Sequence, residues 1–283
     1  MYRFLLFILP VLITTSVFAD YPTSFSNAKS KAEKAVYFDK HTTFYCGCDY
    51  VFDDIEDKDS DGNTHETMVY PENCGYKPRN PITKKGKENS RVSRIEWEHI
   101  VPAHVIGGHL DEWKNKRNYP QCEKSNGKFI SGRDCAYKLN PAFKKGHDDM
   151  NNLTPAVGEL NGDRSNFSFA VIQGEERAYG QCDFEVDFDK DVAEPPDSVK
   201  GNIARTYFHM IKTHGAQILA DELTMYLFWD KLDPVDEWEC LRNKRIEQSQ
   251  GLGNSFVEEE SASVIAFPPE IERAPPVAEM FNV

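Results

Sequence analysis

Glu98 and His99 stand side by side in the run Arg94-Ile95-Glu96-Trp97-Glu98-His99-Ile100-Val101-Pro102-Ala103, and Asn161 lies in a second polar block downstream. An imidazole titrates near neutrality and can accept a proton. A carboxylate and a side-chain amide offer the hard oxygen ligands that suit Mg²⁺. Between the two blocks, Arg133 carries a guanidinium fork that matches a phosphate. Proton acceptor, oxygen ligands and phosphate-holding cation are the parts that phosphodiester hydrolysis needs. Water must be activated in line with the leaving oxygen, and charge building on the phosphate must be offset. Spacing alone does not establish such a site. A Glu-His pair on a strand is more often structural or exposed, and Asn161-Gly162 reads first as a turn.

Two elements must position these groups. Ile95, Trp97 and Val101 alternate and Pro102 stops the run, so the first block reads as a short strand leading into a loop. Neighbouring strand side chains point to opposite faces, so Glu98 and His99 share a site only if the strand bends or ends between them. In the second block, Thr154-Pro155 predicts a helix opening, with an N-cap hydroxyl and proline at the first helical position. Ala156, Val157 and Leu160 would then face the core, and Asn161-Gly162 would end the helix.

These blocks, together with FYCGCDY, ENCGY, RIEWEHIVPA, NNLTPAVGELNGDRSNF, YGQCDFEVDF, AEPP, GNIARTYFHM and WEC, resemble the bacterial endonuclease I family over most of residues 24 to 245. The resemblance implies a periplasmic or secreted nuclease with a ββα-metal (His-metal finger) site that cleaves DNA and RNA non-specifically and leaves 5′-phosphates. It puts the general base on His99, the metal ligands on Glu98 and Asn161, and the phosphate-stabilising arginine on Arg133. The cofactor it implies is Mg²⁺, with Mn²⁺ and Ca²⁺ as the replacements to test. The chain departs from the family pattern at His147, where a Glu is expected, and near the C-terminus, where an acidic tail replaces a further cysteine.

Residues 1–19 carry Arg3, a short apolar run and the ending Val17-Phe18-Ala19, which predicts a secretory signal peptide rather than a membrane anchor. All seven cysteines follow it, as expected of a chain that folds in an oxidising compartment. Cys46-Gly47-Cys48 is too tight for a usual zinc knuckle, so disulfides are expected, with one thiol left free or pairing between chains. The net charge of −13 argues against a polyanion partner until its distribution is considered. From Cys74 to His147 there are sixteen Lys or Arg against seven acids, and this basic stretch brackets the Glu98-His99 strand. DNA and RNA, met through the phosphate backbone with little base selectivity, are therefore the expected partners of a monomer.

The remaining segments predict supporting structure. Residues 24 to 38 space Ala28, Ala32, Ala35 and Val36 along one helix face, and Thr43 to Cys46 reads as a strand. Asp57-Lys58-Asp59-Ser60-Asp61-Gly62 mimics the start of a calcium loop, but Met68 stands where the closing Glu belongs. Residues 77 to 94 should be an exposed loop, and Ala103 to Lys145 a turn-rich stretch held by Cys122 and Cys135. Ile203 to Ile211 and Leu219 to Leu227 are amphipathic helices. The fold class is α+β: one disulfide-stapled domain with a ββα-metal site over residues 20–248, and an acidic, Pro-rich disordered tail over 249–283. Two other functions are weighed: a non-cleaving extracellular nucleic-acid-binding protein of the same fold, and a calcium-organised surface protein resting on Asp57 to Asp61.

Overall fold

A computed structural model describes residues 20–53, 66–174 and 177–258. The expected leader over 1–19, the Asp57–Asp61 loop and the tail beyond Glu258 lie outside the described residues.

The first helix, α1 (Phe25–Lys31), opens where expected. The Ser24 hydroxyl accepts from the Asn27 backbone N–H at 3.2 Å, and a wider helical turn continues to Val36, burying Ala28, Ala32 and Val36. The strand expected at Thr43–Cys46 is a turn instead. Cys46 and Cys48 reach different partners, Cys182 and Cys74, and Gly47 between them takes φ +65°, a conformation that no regular strand supports. Strands β1 (Asp49–Asp53) and β2 (Glu66–Tyr70) form an antiparallel pair beyond it. A third disulfide joins Cys122 to Cys135 as expected, and Cys240 is free and exposed.

Strand β3 (Ile95–His99) forms as the alternation predicts. The segment to His147 is not merely turns. It holds α2 (Ala103–Gly107), α3 (Asp111–Lys114), α4 (Gly132–Leu139) and α5 (Pro141–His147), each too short for a 3.6-residue period to show in sequence.

The helix expected to open at Thr154-Pro155 is a strand, β4 (Leu153–Val157), antiparallel to β3 with Glu98 opposite Thr154 and His99 opposite Leu153. Pro155 is tolerated because β4 is paired on one side only, so its missing N–H leaves no ladder bond open. Its carbonyl accepts from the Phe44 N–H at 2.8 Å. Helix α6 (Gly158–Arg164) follows at once and carries Asn161-Gly162 in its middle rather than at its end. The Arg91 guanidinium packs over this glycine: a Cβ on Gly162 would lie 2.1 Å from it and would push that side-chain end aside.

Strands β5 (Ser168–Phe169), β6 (Glu185–Asp187) and β7 (Val192–Glu194) make a small sheet with β7 in the centre. Both downstream helices form, α7 (Lys200–His214) and α8 (Ala220–Leu232), packed through stacked Tyr207 and Tyr226 and the buried Trp229. Helix α9 (Glu237–Gln250) escaped the sequence reading because it buries Glu239, Asn243 and Gln250 beside Ile246, which blurs the apolar stripe. Ordered packing continues past residue 248: α10 (Ser255–Glu258) buries Phe256 and Val257. No helix among the described residues is long and apolar enough to cross a membrane.

Candidate active site

The antiparallel β3–β4 pair and α6 converge on a cleft of about 1110 Å³ whose lining includes Glu96, Glu98, His99, Arg133 and Asn161. All four side chains picked out in the sequence therefore reach one cavity. They do so with partners that the sequence did not disclose.

His99, the last residue of β3, is buried beneath α1, with the Phe25 ring stacked on its imidazole at 5.0 Å. Its Nε2 lies 2.8 Å from the carbonyl oxygen of His147. A carbonyl only accepts, so Nε2 carries the proton and Nδ1 keeps the lone pair. Burial, reinforced by His147 and Arg133, pushes the imidazole well below its ordinary pKa, so the ring is neutral at physiological pH.

Glu98 precedes it and points elsewhere. Its Oε1 accepts from the Tyr45 hydroxyl and from Arg164 Nη1, both at 3.0 Å. Arg164 also gathers the carbonyls of His99 (2.9 Å) and Ile100 (2.8 Å), where β3 ends. One buried guanidinium thus holds the carboxylate and the strand end together, which lets adjacent strand residues line the same cleft. Burial pushes the Glu98 carboxyl up to about 7 against the opposing pull of Arg164 and Tyr45.

Asn161 and Arg133 approach from helices. Asn161 Nδ2 donates to Glu96 Oε2 at 3.0 Å, and Glu96 is itself paired with Arg91 and Arg94. Arg133, on α4, directs Nε (3.2 Å) and Nη2 (2.7 Å) at Nε2 of His147. His147 in turn donates from Nδ1 to Asp148 Oδ1 at 2.9 Å, which fixes its Nε2 as the acceptor that Arg133 needs. The Tyr137 hydroxyl braces the other Asp148 oxygen at 2.7 Å. So His147, flagged only as a departure from pattern, orients two groups: His99 through its carbonyl and Arg133 through its ring.

The donor set fits a hard divalent cation. With Oε1 of Glu98 committed to Tyr45 and Arg164 and Nδ2 of Asn161 committed to Glu96, Glu98 Oε2 and Asn161 Oδ1 are the oxygens left to coordinate. A cation there would also favour the ionised form of Glu98, which burial alone disfavours.

Sequence reasoning missed Tyr45, Glu96, Arg164 and the roof residue Phe25. Arg164 sat in plain view three residues after Asn161, one helical turn on, but its target is set by tertiary packing.

The fold and cleft define an α+β, disulfide-stapled protein with an antiparallel strand pair running into a helix beside a buried histidine. The endonuclease I family profile matches residues 23–261. The chain is 37% identical to an extracellular deoxyribonuclease of Aeromonas hydrophila, over 89% of this chain and 95% of the relative. It is 35% identical to a periplasmic deoxyribonuclease of the same organism, over 89% and 92%. It is 36% identical to Endonuclease-1 of Buchnera aphidicola, over 76% and 73%. The chain belongs to the endonuclease I family.

Proposed function

We propose that this chain is a secreted or periplasmic endonuclease that hydrolyses DNA and RNA with little base selectivity, as a monomer, using Mg²⁺. The observation that carries the reading is the tether of His99 Nε2 to the His147 carbonyl, which leaves Nδ1 as a neutral proton acceptor in a cleft shared with two uncommitted hard oxygens.

His99 Nδ1 takes the proton of the attacking water. Glu98 and Asn161 hold the cation, which supplies charge to offset that building on the phosphate and the leaving oxygen. Arg133 steadies the phosphate. With Nε and Nη2 turned toward His147, it has Nη1 to offer, a narrower grip than a full fork. Lys29, Arg91 and Arg94 add positive charge to the cleft lining, contacts that neutralise phosphates without reading bases. Relatives named as extracellular and periplasmic deoxyribonucleases support DNA as substrate, and three disulfides suit an oxidising compartment.

Supercoiled plasmid and a structured RNA, incubated with purified protein and Mg²⁺, test the proposal. Nicking and linearisation abolished by EDTA are expected, with affinity falling steeply as salt rises. Intact plasmid, or digestion indifferent to EDTA, overturns it. A gel shift without cleavage, unaffected by His99→Ala, would instead support the non-cleaving binder.

A further inference from the structure

A second cluster of chemistry-bearing side chains lies outside the cleft. Asp149 directly precedes the Met150–Asn152 turn that leads into β4, while His209 and His214 lie on α7. Nε2 of His209 is 2.9 Å and Nε2 of His214 is 2.7 Å from the same oxygen, Oδ2 of Asp149. The three atoms all fall within 4.8 Å of one another.

The other Asp149 oxygen is saturated. Oδ1 accepts from the Asn151 backbone N–H at 2.9 Å, from Asn151 Nδ2 at 3.0 Å and from Gln250 Nε2 at 2.7 Å. The carboxylate is therefore clamped on one side and presents a single oxygen to two imidazole nitrogens, as a ligand oriented by an outer layer of hydrogen bonds would be. Asp149 is fully buried, and its ion-pair partners among the described residues are the two histidines, charged only when protonated. A buried carboxylate needs a countercharge.

We propose that Asp149, His209 and His214 bind one structural Zn²⁺-class transition-metal ion, separate from the hard cation of the cleft. Two imidazoles and one carboxylate oxygen select zinc-like ions over Mg²⁺ or Ca²⁺. Metal bonds of about 2.0–2.1 Å in a tetrahedral site hold ligand atoms roughly 3.3 Å apart, so the nitrogen–oxygen spacings open by about half an ångström on binding. The opening would fall on the end of α7, where His214 is the last helical residue and Gly215 follows in the left-handed region. The Tyr21 hydroxyl donates to the Lys145 carbonyl at 2.8 Å, so the fourth position is left to water. The ion would pin the end of α7 to the chain two residues beyond His147, whose carbonyl holds His99.

Protein without a polyhistidine tag, stripped with EDTA and returned to excess Mg²⁺, is titrated with Zn²⁺ by calorimetry and followed by thermal melting. One Zn²⁺ per chain and a raised Tm are expected, equally in His99→Ala, whose cleft has lost its base. His214→Gln should weaken that binding by at least about 100-fold. No stoichiometric uptake, or affinity unchanged in His214→Gln, overturns the proposal. Co²⁺ loading of the unaltered chain decides the matter even if the variant fails to fold: intense visible bands of a tetrahedral ion are expected, and the pale spectrum of an octahedral one contradicts the site.

Discussion

Two buried arginines each hold a buried glutamate, and the two pairs differ in which carboxylate oxygens they use. Arg205 grips Glu239 at both ends, Nε to Oε1 at 2.8 Å and Nη2 to Oε2 at 2.5 Å, and spends Nη1 on Asp230 and the Asp233 carbonyl. That pair ties α7 to α9, and neither carboxylate oxygen is left over. Arg164 touches Glu98 through Oε1 alone and spends its other bonds on the carbonyls at the end of β3. Burial raises both carboxyls above their ordinary range. Only the Glu98 arrangement keeps an oxygen in reserve at the cleft. The difference separates a carboxylate that braces helices from one that can still bind a cation, although both are ion pairs in the interior.

Removing each cation breaks the comparison hardest. Arg164→Met leaves Glu98 buried without its charge partner and frees the strand end, so stability should drop by about 3–5 kcal/mol in a urea melt. The molecules that stay folded should also cleave plasmid more slowly. Arg205→Met should lose a comparable or smaller amount, because Glu239 is likewise stranded, yet the Mg²⁺ requirement of the folded fraction should not move. A shifted Mg²⁺ requirement there would erase the distinction between the pairs. Tyr45→Phe is the mildest change. It removes one hydrogen bond to Glu98, worth about 1.5–3 kcal/mol for a charged acceptor, and lets the carboxyl pKa climb further. The Mg²⁺ concentration giving half-maximal cleavage at neutral pH should therefore rise several-fold, while the maximal rate changes little.

The parts of the site legible in sequence were those set by local pattern. Alternation ending at Pro102 located β3, and residue chemistry singled out Glu98, His99, Asn161 and Arg133. Local pattern misled at Thr154-Pro155, since a hydroxyl followed by proline opens helices but also fits a strand paired on one side. Asn161-Gly162 looked like a helix stop because the group that packs over Gly162, the Arg91 guanidinium, is distant in sequence. The roles of Arg164 and His147 depend on groups that tertiary packing brings to them. His147 acts partly through its carbonyl, which no residue type reveals. Two of the three disulfide pairings were equally hidden: Cys46 and Cys182, for example, are separated by 136 residues.

The central claim assigns different jobs to adjacent residues, His99 as base and Glu98 as ligand, and the dependence of plasmid cleavage on Mg²⁺ concentration in His99→Ala and Glu98→Ala tests it most directly. His99→Ala should lose on the order of 10²–10⁴ in rate at every Mg²⁺ concentration, because the proton acceptor is gone and metal binding is not. Glu98→Ala should recover part of its activity as Mg²⁺ rises. If raising Mg²⁺ rescues His99→Ala and never Glu98→Ala, base and ligand are assigned the wrong way round.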